Sequence, residues 1–110
     1  MTNTEIVAAV FEAYRAQDLA RMDALLAADF VFTSPQDDHI DKPEFLRRCF
    51  PTAAQTPLHR TLLLTDVGDG NVITMYEYTG TTGHTHRNTE CLTVRDGKVV
   101  ETQVFFGGRY

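Results

Sequence analysis

No cluster of Lys or Arg occurs anywhere along the 110 residues of this chain, whose formal net charge is −5. Nucleic-acid and anionic-membrane surfaces need concentrated positive charge, so both partners are excluded. No apolar run approaches the length that crosses a bilayer, and Met1-Thr2-Asn3-Thr4-Glu5 lacks the basic segment and apolar core of a secretory leader. A soluble, cytoplasmic protein is the expectation. Cysteine is also scarce: Cys49 and Cys91 fall inside regular elements and form no closely spaced pair. They read as reduced packing thiols, with a single disulfide as the alternative in an exported protein. Internal repeats, linkers and low-complexity tracts are all missing. With a hydrophobic content of 43%, the chain suits one domain over residues 1–110 with a modest core.

What is present divides into a helical front and a stranded back. Val7, Val10, Phe11 and Tyr14 recur at helical spacing opposite Glu5, Glu12 and Arg15, with Thr4 as the expected cap of a first helix. Leu19, Met22, Leu25 and Leu26 continue that periodicity, and Ala20, Ala24, Ala27 and Ala28 add propensity for a second. Phe30-Val31-Phe32-Thr33 is a short strand ended by Ser34-Pro35, followed by an Asp-rich loop from Gln36 to Lys42. Pro43 then opens a third helix carrying Phe45, Leu46, Cys49 and Phe50, which Pro51 closes.

Beyond Pro57 the pattern changes to alternating β-branched and aromatic residues over 59–67, 71–79, 84–94 and 99–106. Gly68-Asp69-Gly70-Asn71, Gly80 to Gly83, and Asp96-Gly97 supply tight turns, so the four runs form an antiparallel meander. Helices followed by strands give an α+β fold in which a curved, mainly antiparallel sheet wraps around the N-terminal helices.

One position conflicts with a plain core. In the run His84 to Val94, alternation puts Leu92 and Val94 on the same face as Glu90, Asn88, His86 and His84. A closed core penalises an unpaired carboxylate, whereas a sheet-lined cavity gives Glu90 a role as a proton donor or a base with a raised pKa. The competing reading is a structural carboxylate bonded to Asn88, a tyrosine or Arg87. The same parity makes Phe32, Tyr76, Tyr78 and Phe106 an aromatic wall, and turns Glu101, Gln103 and Phe105 outward, where a second copy of the chain could cover Phe105. Tyr14 is either a further cavity group or a core tyrosine with a partnered hydroxyl.

The loop Ser34 to Asp41 sets Asp37, Asp38 and Asp41 around His39. Asp38 beside His39 could fix its tautomer and make it a general base at the cavity mouth. Alternatively, Asp37 or Asp41 caps the helix entered at Pro43 and the others are solvated. His84 and His86 form a His-x-His pair, which is too small a ligand set, so neither a metal nor a cofactor is expected.

The stretches Ala16-Gln17-Asp18-Leu19, Leu25 through Phe32, Arg87-Asn88-Thr89-Glu90, Gly97 through Glu101 and Val104-Phe105-Phe106-Gly107 together resemble the SnoaL-like branch of the nuclear transport factor 2-like superfamily. The resemblance covers nearly the whole chain. It implies an α+β cone or barrel with a pocket at its wide end and dimerisation through the outer sheet face; it fixes no reaction, since isomerases, cyclases, hydrolases and non-enzymatic adaptors share the shape. Aligned with ketosteroid isomerase, whose donors and base are a known case of pKa tuning, the base position falls on Ser34 and the helix tyrosine on Val10, while Glu90 falls on the oxyanion acid. An epoxide-hydrolase unit would draw on Asp37, Asp38, Arg48, Arg87 and Glu90, but not at that family's spacing. The expectation is a pocket for an apolar, oxygenated small molecule, with Glu90, His39 and Asp38 as acid/base candidates. Tyr14, Phe32, Ser34, Tyr76, Tyr78, His86, Asn88 and Phe106 are the expected ligand contacts. A non-catalytic binding or dimerisation module is the alternative.

Overall fold

The computed structural model describes residues 1–109. Helix α1 runs Asn3–Ala16 and is capped by Thr2, two residues before the expected Thr4. The reason is a capping box: Glu5 N–H donates to Thr2 Oγ1 at 3.2 Å and Thr2 N–H donates to Glu5 Oε1 at 2.8 Å. At its other end Gln17 takes the left-handed conformation, φ 53°. Its side-chain amide secures the turn by donating to the carbonyls of Tyr14 at 2.7 Å and Phe50 at 2.8 Å. The buried face of α1 is Ile6, Val7, Ala9, Val10 and Ala13.

Helix α2 is shorter than its periodicity suggests, Leu19–Leu25, and Asp18 caps it by accepting from Arg21 N–H at 3.1 Å. Leu26, Ala27 and Ala28 belong to strand β1, Leu26–Ser34. Parallel pairing with the C-terminal strand anchors β1 at both ends of the alanine segment, Leu26 opposite Val99 and Val31 opposite Glu101, and the alanines are drawn into the extended chain between them despite their helical propensity.

A further difference concerns the Asp-rich segment. Asp37–Asp41 is strand β2, paired antiparallel with β1 so that Phe32 opposes Ile40. Charged residues suit an edge strand, where they discourage further pairing, and that composition hid the strand. Asp41 ends β2 and caps helix α3, Lys42–Arg48, by accepting from Glu44 N–H at 3.1 Å. A 3₁₀ turn over Phe50–Gln55 carries the chain on past Pro51.

Strands β3 (Leu58–Gly68), β4 (Asn71–Thr79), β5 (Thr85–Arg95) and β6 (Lys98–Arg109) form the expected meander. Gly70 in the first turn has φ 79°, and a Cβ there would lie 2.5 Å from the Val94 carbonyl, so only glycine fits. The six strands are ordered β2-β1-β6-β5-β4-β3, antiparallel throughout except for β1 beside β6. The result is an α+β cone with an open sheet, not a closed barrel. The largest fully buried side chains of its core are Phe30, Met22, Leu26, Leu92, Val7, Val72 and Val99. Among the described residues no helix is long and apolar enough to cross a membrane.

Candidate functional site

Strand alternation builds one wall of a cavity of about 340 Å³ between the sheet and the helices. Asn88, Glu90, Leu92 and Val94 are all buried, and Glu90 is only 8% exposed. Tyr76 on β4 stands opposite Asn88, and Glu90 opposes Thr74, so Tyr76 reaches Glu90 diagonally across the strand pair. The Tyr76 hydroxyl donates to Glu90 Oε2, and Asn88 Nδ2 donates to that hydroxyl at 3.4 Å. Asn88, Tyr76 and Glu90 therefore form a directed chain of donors ending on the carboxyl.

Burial pushes the Glu90 pKa up from its ordinary value to about 7, while the hydrogen bond from Tyr76 opposes that rise. Burial and the neighbouring carboxyl push the Tyr76 phenol well above its usual range, so it stays protonated and remains a donor. A carboxyl of this kind holds both protonation states near neutrality.

Aromatic rings frame this group. Phe11 on α1 meets the Tyr76 ring edge-on at 5.6 Å, and His59 on β3 stacks on the same ring at 4.8 Å. On the opposite side Phe45 from α3 packs against Phe30 at 5.1 Å and Phe32 at 4.9 Å. Tyr14 lines the cavity and also has a partner, 2.8 Å away at Thr52 Oγ1. Thr52 commits its own proton to the Cys49 carbonyl at 2.7 Å, so the tyrosine is the donor of that pair.

A second polar group occupies the α3 side. Arg48 Nη2 lies 2.9 Å from Asp37 Oδ1, and the Asp37 side chain is 9% exposed. That oxygen is sealed from solvent and accepts no well-aligned hydrogen bond, so proximity and charge hold the pair. Ser34 Oγ donates to the other oxygen, Oδ2, at 3.4 Å. Burial and Asp37 push the Cys49 thiol up to about 11, which keeps it protonated and unreactive.

Of the expected ligand contacts, the structure brings Tyr14, Phe32, Ser34, Tyr76, Tyr78, Asn88 and Phe106 to the cavity together with Glu90. His86 is not in the lining; it stacks behind Tyr78 at 5.2 Å. Asp38 and His39 do form the anticipated pair, Nδ1 to Oδ1 at 2.6 Å, but their side chains are 91% and 68% exposed. Their expected place at the cavity is corrected: a register shift between Phe32 and Ser34 and a left-handed His39, φ 50°, break the alternation of the hairpin, and neither residue lines the cavity. Arg87 pairs with Glu77 at 3.0 Å on the other face of the sheet. Sequence reasoning missed His59, and it weighed Asp37 and Arg48 without placing them. Arg48 falls one helical turn after Glu44, and only the β1–β2 hairpin carries Asp37 to it. Among the described residues no group of three His, Cys, Asp or Glu side chains could hold a metal ion.

The model of a SnoaL-like domain matches residues 7–102. A comparison with curated proteins gives no match. Among solved structures, a nuclear transport factor 2-like protein from Burkholderia thailandensis superposes with a TM-score of 0.79 at 26% identity, covering 96% of this chain and 91% of its own. A proposed ketosteroid isomerase from Kribbella flavida gives 0.82 at 20% identity, covering 98% and 79%. AclR, a proposed hydroxylase from Streptomyces galilaeus, gives 0.77 at 18% identity, covering 96% and 74%.

Proposed function

This chain belongs to the SnoaL-like domain family, within the nuclear transport factor 2-like fold, and on that premise we propose that its cavity binds a compact, apolar, oxygen-bearing molecule and exchanges a proton with it through Glu90. The observation that carries the reading is Glu90 itself, buried in the cavity wall with a pKa of about 7. Tyr76 occupies Oε2 and leaves Oε1 for a ligand oxygen. A cavity of about 340 Å³ equals roughly a dozen water volumes, which suits a one- or two-ring molecule. Protonated Glu90 donates to a carbonyl or ether oxygen, and ionised Glu90 accepts a proton from an activated carbon, the two halves of isomerase- or cyclase-type chemistry. A structural neighbour proposed as an isomerase supports that direction. The free thiols of Cys49 and Cys91 support a reducing, cytoplasmic setting.

The test uses 1-tetralone, a two-ring ketone, titrated calorimetrically into wild type and Glu90→Gln. Wild-type affinity is expected to fall roughly tenfold from pH 6 to pH 8 as Glu90 loses its proton, while the variant stays flat. Equal pH profiles in the two proteins would remove Glu90 from the site.

A non-catalytic role is favoured by a separate observation. Leu63, Met75, Thr89 and Phe105 stand opposite one another in a single row across β3, β4, β5 and β6. Leu63, Met75 and Phe105 are exposed. We propose that a second copy of the chain covers this face, so that the fold also serves as a dimerisation module.

A further inference from the structure

We propose that His59 is a second polar anchor of the cavity, a neutral imidazole that donates Nε2–H to the oxygen of the bound ligand. The proposal rests on the cavity reading above and adds what that reading lacks, a donor independent of Glu90. His59 stands on β3 opposite Tyr78, stacked on the Tyr76 ring at an interplanar angle of 27°, with Phe11 5.9 Å away. Two aromatic neighbours therefore fix the plane of the ring.

The position of the proton follows from its other neighbour. Arg15 Nη1 on α1 lies 3.4 Å from His59 Nδ1. A guanidinium carries only donors, so Nδ1 must accept, and the single proton of the neutral ring sits on Nε2. That nitrogen is buried and has no hydrogen-bond partner among the described residues. A buried N–H without an acceptor is costly; His59 lines the cavity, and an acceptor oxygen that enters beside the ring and parts the side chains now sealing Nε2 removes that cost. Burial, and then the Arg15 charge, lower the His59 pKa, which keeps the ring neutral and the tautomer fixed.

Tyr76 ties the two anchors together. Its hydroxyl holds Glu90 and its ring face carries His59, so both groups serve the same region of the cavity. A ligand that satisfies both presents an acceptor oxygen, as in a ketone, ester or ether. A protonated amine, which carries only donors to set against Nε2–H and meets the Arg15 charge close behind, is disfavoured.

The experiment compares 1-tetralone with tetralin, which differ by one carbonyl oxygen. At pH 7 the imidazole ¹⁵N spectrum of wild type should show His59 neutral with its proton on Nε2, and that proton signal should shift with tetralone but not with tetralin. The tetralone-to-tetralin affinity ratio should fall about tenfold in His59→Phe, which keeps a stacking ring, and return to within about threefold of wild type in His59→Gln, which restores a donor. A proton on Nδ1, or an unchanged ratio in His59→Phe while wild type binds tetralone, overturns the proposal and leaves Nε2–H to a bound water or to packing. If wild type binds neither compound at millimolar concentration, the cavity reading itself falls, and the tautomer measured on the free protein still judges the His59 assignment.

Discussion

Tyr76 donates its phenolic hydrogen bond to Glu90 from the diagonal position of the adjacent strand, two register steps from a direct pair. The phenol holds a buried acid in place without neutralising it, because Tyr76 brings no charge. An arginine at that point would have pulled the carboxyl down into its ionised form. The carboxyl instead rests near neutrality, and its cost to the fold depends on pH.

Glu90→Gln is expected to stabilise the protein above neutral pH. The Glu90 carboxyl titrates near 4.5 when unconstrained and at about 7 in the fold. Between those values the folded chain keeps a proton that the unfolded chain has lost, so stability falls as pH rises through this window. Above it the full cost of the buried charge, about 3 kcal/mol at most, is present. Urea melts at pH 8 should show the variant more stable than wild type, and the advantage should vanish at pH 4.5. His59, whose pKa is lowered, acts in the opposite sense below its ordinary 6.5 and is common to both proteins, so it cancels in the difference. A variant equally destabilised at both pH values would contradict the assignment.

Tyr76→Phe removes the hydrogen bond that lowers the Glu90 pKa. The Glu90 carboxyl ¹³C titration should then move upward from about 7, and the loss of a buried hydrogen bond should cost about 1 kcal/mol. A midpoint that stays or moves down would show that the phenol does not act on this carboxyl.

Arg48→Met strands the Asp37 carboxylate, 9% exposed, without its cation. Arg48 is half-exposed, so the expected loss is about 1–3 kcal/mol, below that of a fully buried pair. Adding Asp37→Asn should recover most of it, and thermal melts of the two single variants and the double variant measure the coupling. Additive losses would mean that the two side chains do not interact.

Phe105→Glu places a charge in the outer apolar row, where Phe105 is 56% exposed. Sedimentation equilibrium should show wild type as a dimer and the variant as a monomer with unchanged tetralone affinity. A monomeric wild type would remove the dimerisation role.

Much of the architecture was legible because β-structure has a period of two. Alternation alone set Asn88, Glu90, Leu92 and Val94 on one buried face and Phe105 on the other. The start of β1 and all of β2 were hidden because Ala27 and Ala28 favour helix and Asp37 to Asp41 carry no apolar alternation; pairing of Leu26 with Val99 and of Phe32 with Ile40, not propensity, set these segments as strands. The Asp38–His39 contact was legible from adjacency, but its exposure depended on a register shift that no local pattern announces.

By itself the sequence determined that helices come before a four-stranded meander and which strand face holds Glu90, because each depends on neighbours a few residues apart. Only the tertiary structure decided that Tyr76 would hold Glu90, that Asp37 would meet Arg48, and that Arg15 would fix the proton of His59 from 44 residues away. Proton position and pKa answer to whatever lies within a few ångströms, and in a folded chain those neighbours are set by packing, not by sequence distance.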